Sequence, residues 1–178
     1  MVRQKKRWLL VKVELADDIQ KNRTLSVGTS SELFPSKKEF ITRLRRTITW
    51  CFGITGEGPA CETQIRFCDA ATQLMLVRGP RQYCDMIRSA LTLLLTRKQF
   101  LSLGEKIDRP ISDYYASVIS VHGSARTAKI ATFRKLRELY RREIQEYRVK
   151  SFPSDDRIEE HLCRALEERL TIIQNNLN

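Results

Sequence analysis

The sequence predicts an α+β fold built on one antiparallel sheet, and three observations predict it. Two-residue and 3.6-residue hydrophobic periods follow one another in the order strand, helix, hairpin, helix, strand. Each change of period falls at a cap or turn signal. Two further amphipathic helical stretches then run to residue 177. The first segments give the βαββαβ order of a ferredoxin-like split sheet with two helices on one face, and the additional C-terminal helices can cover part of the other.

The chain opens on Arg3, Lys5, Lys6 and Arg7, set directly against a strand in which Leu9, Val11, Val13 and Leu15 alternate with Trp8, Leu10, Lys12 and Glu14. Cations attached to a strand are presented at a defined place, although a short nuclear-targeting run has the same look. Residues 16–35 are polar and aperiodic and read as a long mobile loop. Ser36-Lys37-Lys38-Glu39 is a capping box that starts the first helix. Phe40, Ile41, Leu44, Ile48, Cys51 and Phe52 make its buried stripe, and Gly53 is placed to end it as a left-handed cap. Lys38, Arg43, Arg45 and Arg46 decorate its outside, as a second basic patch or a solvated face.

Gly53 to Pro59 contains GITGEG, which lacks the Lys-Ser/Thr of a phosphate-binding loop and reads as a turn. Cys61, Thr63, Ile65 and Phe67 alternate as a strand, Asp69 to Thr72 turns, and Gln73 to Arg78 alternates again, which makes a hairpin. Pro80 takes the first position of a second helix carrying Tyr83, Ile87, Ala90, Leu91 and Leu94 to a basic end at Arg97-Lys98. Gln99 to Asp113 reads as a loop, and Tyr114 to Val121 has the aromatic and β-branched content of a fourth strand.

The stretch Val121 to Lys150 holds nine basic residues against three acids. Ile130, Phe133, Leu136, Tyr140, Ile144 and Tyr147 recur at three and four, so a helix buries them on one face. Arg134, Arg137, Arg141 and Arg148 run beside that face, with Lys129 and Arg126 nearer the start. His122-Gly123-Ser124 forms a turn in which glycine allows close backbone approach and Ser124 is the N-cap. A helix start with free N–H groups and Arg126 suits a phosphate. The competing reading is a solvated helix laced by Arg134/Glu138 and Glu138/Arg142 at i, i+4. Pro153 breaks the chain, Ser154-Asp155-Asp156 caps a last helix, and Ile158, Leu162, Leu166, Leu170, Ile173 and Leu177 form a seam that packs on the domain or receives another protein. The boundaries expected are one domain over 1–150 and an appended helix over 151–178.

Lysine and arginine number 32 against 21 acids in 178 residues, a formal charge of +11. Residues 151–178 carry six acids and three bases, so the body is more basic than the whole. That excess points to a polyanion, nucleic acid before membrane. Five cysteines lack zinc-ligand spacing and are expected as reduced core thiols of a cytosolic or nuclear protein. Residues 90–95, the longest apolar run, fall far short of a membrane span. His122 and His161 lack obvious carboxylate partners, and Asp69, Asp85, Asp108 and Asp113 show no nuclease spacing, which argues against a metal-dependent nuclease. RNA-recognition (RRM) domains share this element order, but Gln73 to Arg78 contains no aromatic, so arginine contacts with the RNA backbone replace base stacking on the sheet.

Met1-Val2-Arg3 with Lys5 and Arg7 before an apolar strand, the hairpin IRFCDAATQLMLVRG, and His122-Gly123-Ser124-Ala125-Arg126-Thr127 with its basic continuation resemble, in order over residues 1 to 150, the Pop-five family. That is the small protein subunit of ribonuclease P and ribonuclease MRP. The chain departs from the family's usual turn at His122 and Ala125. The resemblance implies an RRM-like fold in a nuclear or nucleolar ribonucleoprotein that matures precursor tRNA 5′ ends and processes ribosomal RNA. It implies three kinds of partner: the ribonuclease P/MRP RNA, the TIM-barrel-like ribonuclease P protein subunit, and other subunits of the particle, with no membrane. It also implies that the RNA performs catalysis with magnesium held at the RNA, while the protein binds no cofactor or metal and has no catalytic residue. The residues expected at RNA are Arg3, Lys5, Arg7, Gly123, Ser124, Arg126, Lys129, Arg134, Arg137 and Arg141. A general RNA-binding module outside ribonuclease P and a protein-interaction adaptor are the alternatives.

Overall fold

The computed structural model describes residues 5–15, 34–96, 99, 113–150 and 156–176. Among them, four strands form one antiparallel sheet: β1 (Lys6–Leu15), β2 (Gln64–Asp69), β3 (Leu74–Pro80) and β4 (Tyr114–His122). Their order is β2-β3-β1-β4, the order of the predicted split sheet. Five helices accompany them: α1 (Lys37–Phe52), α2 (Ile54–Glu62), α3 (Cys84–Thr92), α4 (Ala125–Lys150) and α5 (Asp156–Asn176).

Alternation in β1 divides the interior in two. Leu9, Val11, Val13 and Leu15 pack with Phe40, Leu44 and Ile48 of α1 and Ile87 and Leu91 of α3. Trp8 and Leu10 point to the opposite face, where they meet Phe67, Leu74 and Leu76 of the sheet, Leu136 and Tyr140 of α4, and Leu162 and Ile173 of α5. Of the α5 seam, Leu162 and Ile173 are thus buried inside the molecule and Leu166 and Leu170 pack against the same layer. Arg169 of α5 pairs with the buried carboxylate of Asp69 at the end of β2, fixing the helix across the sheet.

The capping box forms as expected: Glu39 N–H donates to Ser36 Oγ at 3.2 Å and Ser36 N–H to the Glu39 carboxylate at 2.8 Å. Gly53 ends α1 with φ +57° but ψ −140°, which is not the left-handed helical cap expected. It is a hinge, because α2 begins at the next residue. GITGEG is thus the start of a helix and not a turn, and Cys61 belongs to that helix, leaving β2 to begin at Gln64. Glycine's poor helix propensity is overridden here by packing. A Cβ on Gly56 would lie 2.7 Å from the Ile48 carbonyl oxygen, so the glycine is what lets α2 lie on α1.

Pro80 ends β3 instead of opening a helix; a single 3₁₀ turn, Arg81–Tyr83, intervenes, and α3 stops at Thr92, short of Arg97-Lys98. Thr92 Oγ1 bonds back to the Arg88 carbonyl, and Leu95 N–H donates to Thr47 Oγ1 of α1, drawing the chain out of the helix. A Cβ on Gly79 would lie 2.3 Å from Ile87 Cδ1, so this glycine admits α3 to the sheet. Of the second basic patch expected on α1, only Arg43 leaves the surface, while Lys38, Arg45 and Arg46 stay exposed. Arg43 is 2% exposed with its guanidinium 4.3 Å from the Tyr114 ring centroid, and Arg45 donates to the Thr63 carbonyl at 3.0 Å. A long arginine at the margin of an apolar face can lay its stem and planar head on an aromatic ring. The loops expected over 16–35 and 99–113 fall almost wholly outside the described residues.

Candidate nucleic-acid interface

One end of the sheet is built from the start of β1, the end of β3 and the end of β4. Antiparallel pairing sets Trp8 opposite Arg78 on one side and His122 on the other. The Arg78 guanidinium lies 5.6 Å from the Trp8 ring centroid, and Arg81 N–H donates to the Lys5 carbonyl at 2.9 Å. Sequence reasoning missed Arg78 and Arg81 because only strand register brings them beside Lys5 and Arg7; the basic run VRGPR at the hairpin's end was the available signal.

From β4 the chain turns through Gly123 and Ser124 into α4. Thr127 N–H donates to Ser124 Oγ at 3.2 Å and Ala128 N–H to the Ser124 carbonyl at 3.1 Å, so Ser124 is the predicted N-cap. A Cβ at Gly123 would come within 3.1 Å of Arg7 Nη1. The close approach expected at Gly123 is therefore made by an arginine of the first strand. Arg7, Gly123, Ser124 and the exposed Arg126 share this end of the molecule, with Lys5 beside them. Guanidinium groups and the helix N-terminus sum to a positive potential there. Arg3 lies outside the described residues.

The rest of the predicted set follows α4 away from the sheet end. At 100° per residue, Arg126, Arg137, Arg141 and Arg134 fall within an arc of about 80°. All four are exposed. Over this span α4 rises about 22 Å. The buried stripe centres on Ala128, Thr132, Leu136 and Tyr140. Ile130, expected inside, is 42% exposed and sits amid the arginines. The expected Arg134/Glu138 pair is absent among the described residues: Glu138 holds Lys135 at 2.9 Å and Arg142 at 2.7 Å. The hydrogen bond and charge of Lys135, helped by Arg142, hold the Glu138 carboxyl below its usual range. Arg134, Arg137 and Arg141 make no ion pair among the described residues. Lys129 is turned inward instead, donating to the Gln174 carbonyl at 3.2 Å in the last turn of α5.

Between β4 and α4 runs an open groove of about 470 Å³ whose wall includes His122 and Arg134. Ser120 Oγ and His122 Nε2 are 2.8 Å apart, and burial lowers the imidazole's affinity for a proton. Among the described residues no three His, Cys, Asp or Glu side chains are grouped to hold a metal, and no helix is long and apolar enough to cross a membrane.

A split antiparallel sheet covered on both faces, with a basic end and an arginine-faced helix, defines an RRM-like α+β protein. The Rpp14/Pop5 family model matches residues 7–133, well over half the chain. The chain belongs to this family of ribonuclease P protein subunits, as the motifs in the sequence indicated. No curated protein matches significantly. Among solved structures, a chain in the cryo-EM structure of yeast ribonuclease MRP is similar at 14% identity, with a TM-score of 0.45, covering 71% of this chain and 79% of that one.

Proposed function

We propose that this chain is a non-catalytic RNA-binding subunit of the ribonuclease P/MRP ribonucleoprotein, holding the catalytic RNA in shape for precursor tRNA 5′ maturation and ribosomal RNA processing. The observation that carries this reading, beside family membership, is the line of exposed arginines along α4. Protein-paired cations would be of little use to RNA, whereas Arg134, Arg137 and Arg141 are available to phosphates. Arg7, Arg126 and the N-terminus of α4 extend that line to the sheet end. The RNA supplies the chemistry, with magnesium bound to it, and the protein supplies backbone contacts.

The partners are the particle's RNA, the TIM-barrel-like subunit and other particle proteins, in the nucleus and nucleolus. Apolar side chains left exposed near the ends of three helices, Trp50, Ile54 and Leu93 at 58%, 87% and 60% exposure, support a protein neighbour. Capture of the tagged chain followed by sequencing of bound RNA tests the reading. One defined RNA is expected; many RNAs would indicate a general RNA-binding module, and none would indicate an adaptor. The purified chain is expected to cleave no RNA with or without magnesium. Cleavage abolished by a single Asp or His substitution would refute the subunit reading.

A further inference from the structure

We propose that the groove between β4 and α4 receives one unpaired nucleotide of the bound RNA, with the base held between aliphatic walls and the adjoining phosphate met by Arg134. The inference rests on the RNA-binding reading above and adds a specific subsite to it.

The groove exists because of two irregularities. In the ladder between β1 and β4, Leu10 pairs with Ser120 but Val11 pairs with Val118, so Ile119 is the extra residue of a bulge. A bulge re-aims a side chain that regular alternation would have placed elsewhere. Ile119 lines the groove and remains 39% exposed. Across from it stands Ile130, which faces out among the arginines of α4. Leu10 contributes to the floor. Two large aliphatic side chains are thus left facing a surface slot, beside Arg134 and the arginine face of α4, without belonging to either core.

Charge and shape together select the occupant. Arg134 lines the groove, has no ion pair among the described residues, and lies on the same helical face as Arg126 and Arg137. A strand of phosphates tracking that face would pass the mouth of the slot. The volume is within the roughly 300–1,000 Å³ of small-ligand sites, and a flat base can enter between two aliphatic walls. Ser120 Oγ and His122 Nε2 lie 2.8 Å apart as a hydrogen-bonded pair, and the remaining capacity of the hydroxyl and of the other ring nitrogen is left for a base edge. Bases in a duplex are stacked and paired and cannot reach such a slot, so only an unpaired nucleotide fits.

The test uses the full chain and two labelled RNA hairpins, identical except for one bulged uridine in the stem. Equilibrium binding at near-physiological salt is expected to favour the bulged hairpin by about five- to tenfold, a modest share of what base stacking contributes elsewhere. Ala131→Phe fills the groove, and Ile130→Ser removes a wall at an already exposed position; each is expected to abolish the preference, with circular dichroism confirming the fold. Affinity for the fully paired hairpin serves as the internal reference for the arginine line. A photoreactive thiouridine at the bulge is expected to cross-link to residues 119–122 or 127–134. Failure to bind either hairpin would refute the RNA reading itself. Equal binding of both, a preference that survives both substitutions, or cross-links only elsewhere would overturn the groove while leaving that reading intact. Equal binding of both hairpins together with capture of an acidic peptide that Ile130→Ser abolishes would assign the slot to a protein and overturn it too.

Discussion

Replacing Arg134 and Arg141 together with glutamine isolates the electrostatic role of α4. Both side chains are exposed and make no ion pair among the described residues, so the change removes two charges without opening the core. Glutamine keeps a long side chain and good helix propensity. Each phosphate contact contributes roughly 0.7–0.9 to the slope of log affinity against log salt, so the double variant should lose about 1.4–1.8 from that slope. Over a fourfold rise in salt, the wild type should therefore lose roughly seven- to twelvefold more affinity than the variant. Fluorescence anisotropy of a labelled RNA titrated at several potassium chloride concentrations measures this directly. Arg142→Gln is the matched control, since its guanidinium is already engaged by Glu138 at 2.7 Å. It should leave stability nearly unchanged, as loss of an exposed i, i+4 pair does, and shift the slope far less. A double variant with the wild-type slope would refute the placement of RNA along this face.

Gly79→Ala, with a Cβ that would meet the fully buried Ile87, should destabilise by about 1–3 kcal/mol in urea unfolding, whereas Gly58→Ala, where the added carbon meets nothing, should not. Ile173→Ala should cost about 2–5 kcal/mol if α5 is part of the core, and near-zero loss would mean that the helix does not hold the sheet in solution. The imidazole of His122 should titrate by NMR below its ordinary 6.5, because burial disfavours the charged form. The unfolded chain then binds more protons in the window between the folded value and 6.5, so stability is full above 6.5 and falls as pH drops through that window; His122→Gln should flatten the dependence. Cys61 and Cys163 are exposed and should react quickly with a thiol reagent at pH 8, while Cys68, half-buried and raised to about 11 by burial, should react much more slowly.

Much of this architecture can be read from the sequence because local signals and the fold agree. The Ser36/Glu39 box, the alternation in β1, the hairpin and the Ser124 cap are each decided within a few residues, and the structure keeps all of them. The misreadings share one cause. Gly56 and Gly79 look like turn residues until the helix each one admits is placed against it, and Arg43 looks like a surface cation until Tyr114 arrives beneath it from seventy positions away. In the α4 stripe, Phe133, Leu136, Tyr140 and Ile144 join the buried layer, whereas Ile130 satisfies the same spacing yet stays 42% exposed. Of the candidate site, Gly123, Ser124 and Arg126 are neighbours in the sequence, whereas the arrival of Arg7 at Gly123, the diversion of Lys129 to α5 and the gathering of Arg78 and Arg81 depend on contacts that spacing does not encode.

The position of β1 carries a kinetic consequence. The first strand along the chain is an inner strand of the sheet, with Trp8 waiting for Arg78 on one flank and His122 on the other. During synthesis, β1 therefore leaves the ribosome long before either neighbour exists, and its two apolar faces, Leu9-Val11-Val13 and Trp8-Leu10, have no native cover in the interim. Pairings so distant in sequence slow the search for the native state and prolong the exposure of sticky intermediates. Charged residues that flank a sticky strand oppose association of unfolded copies, and Lys5, Lys6 and Arg7 occupy that flanking position before Arg7 is set against Gly123 at the start of α4.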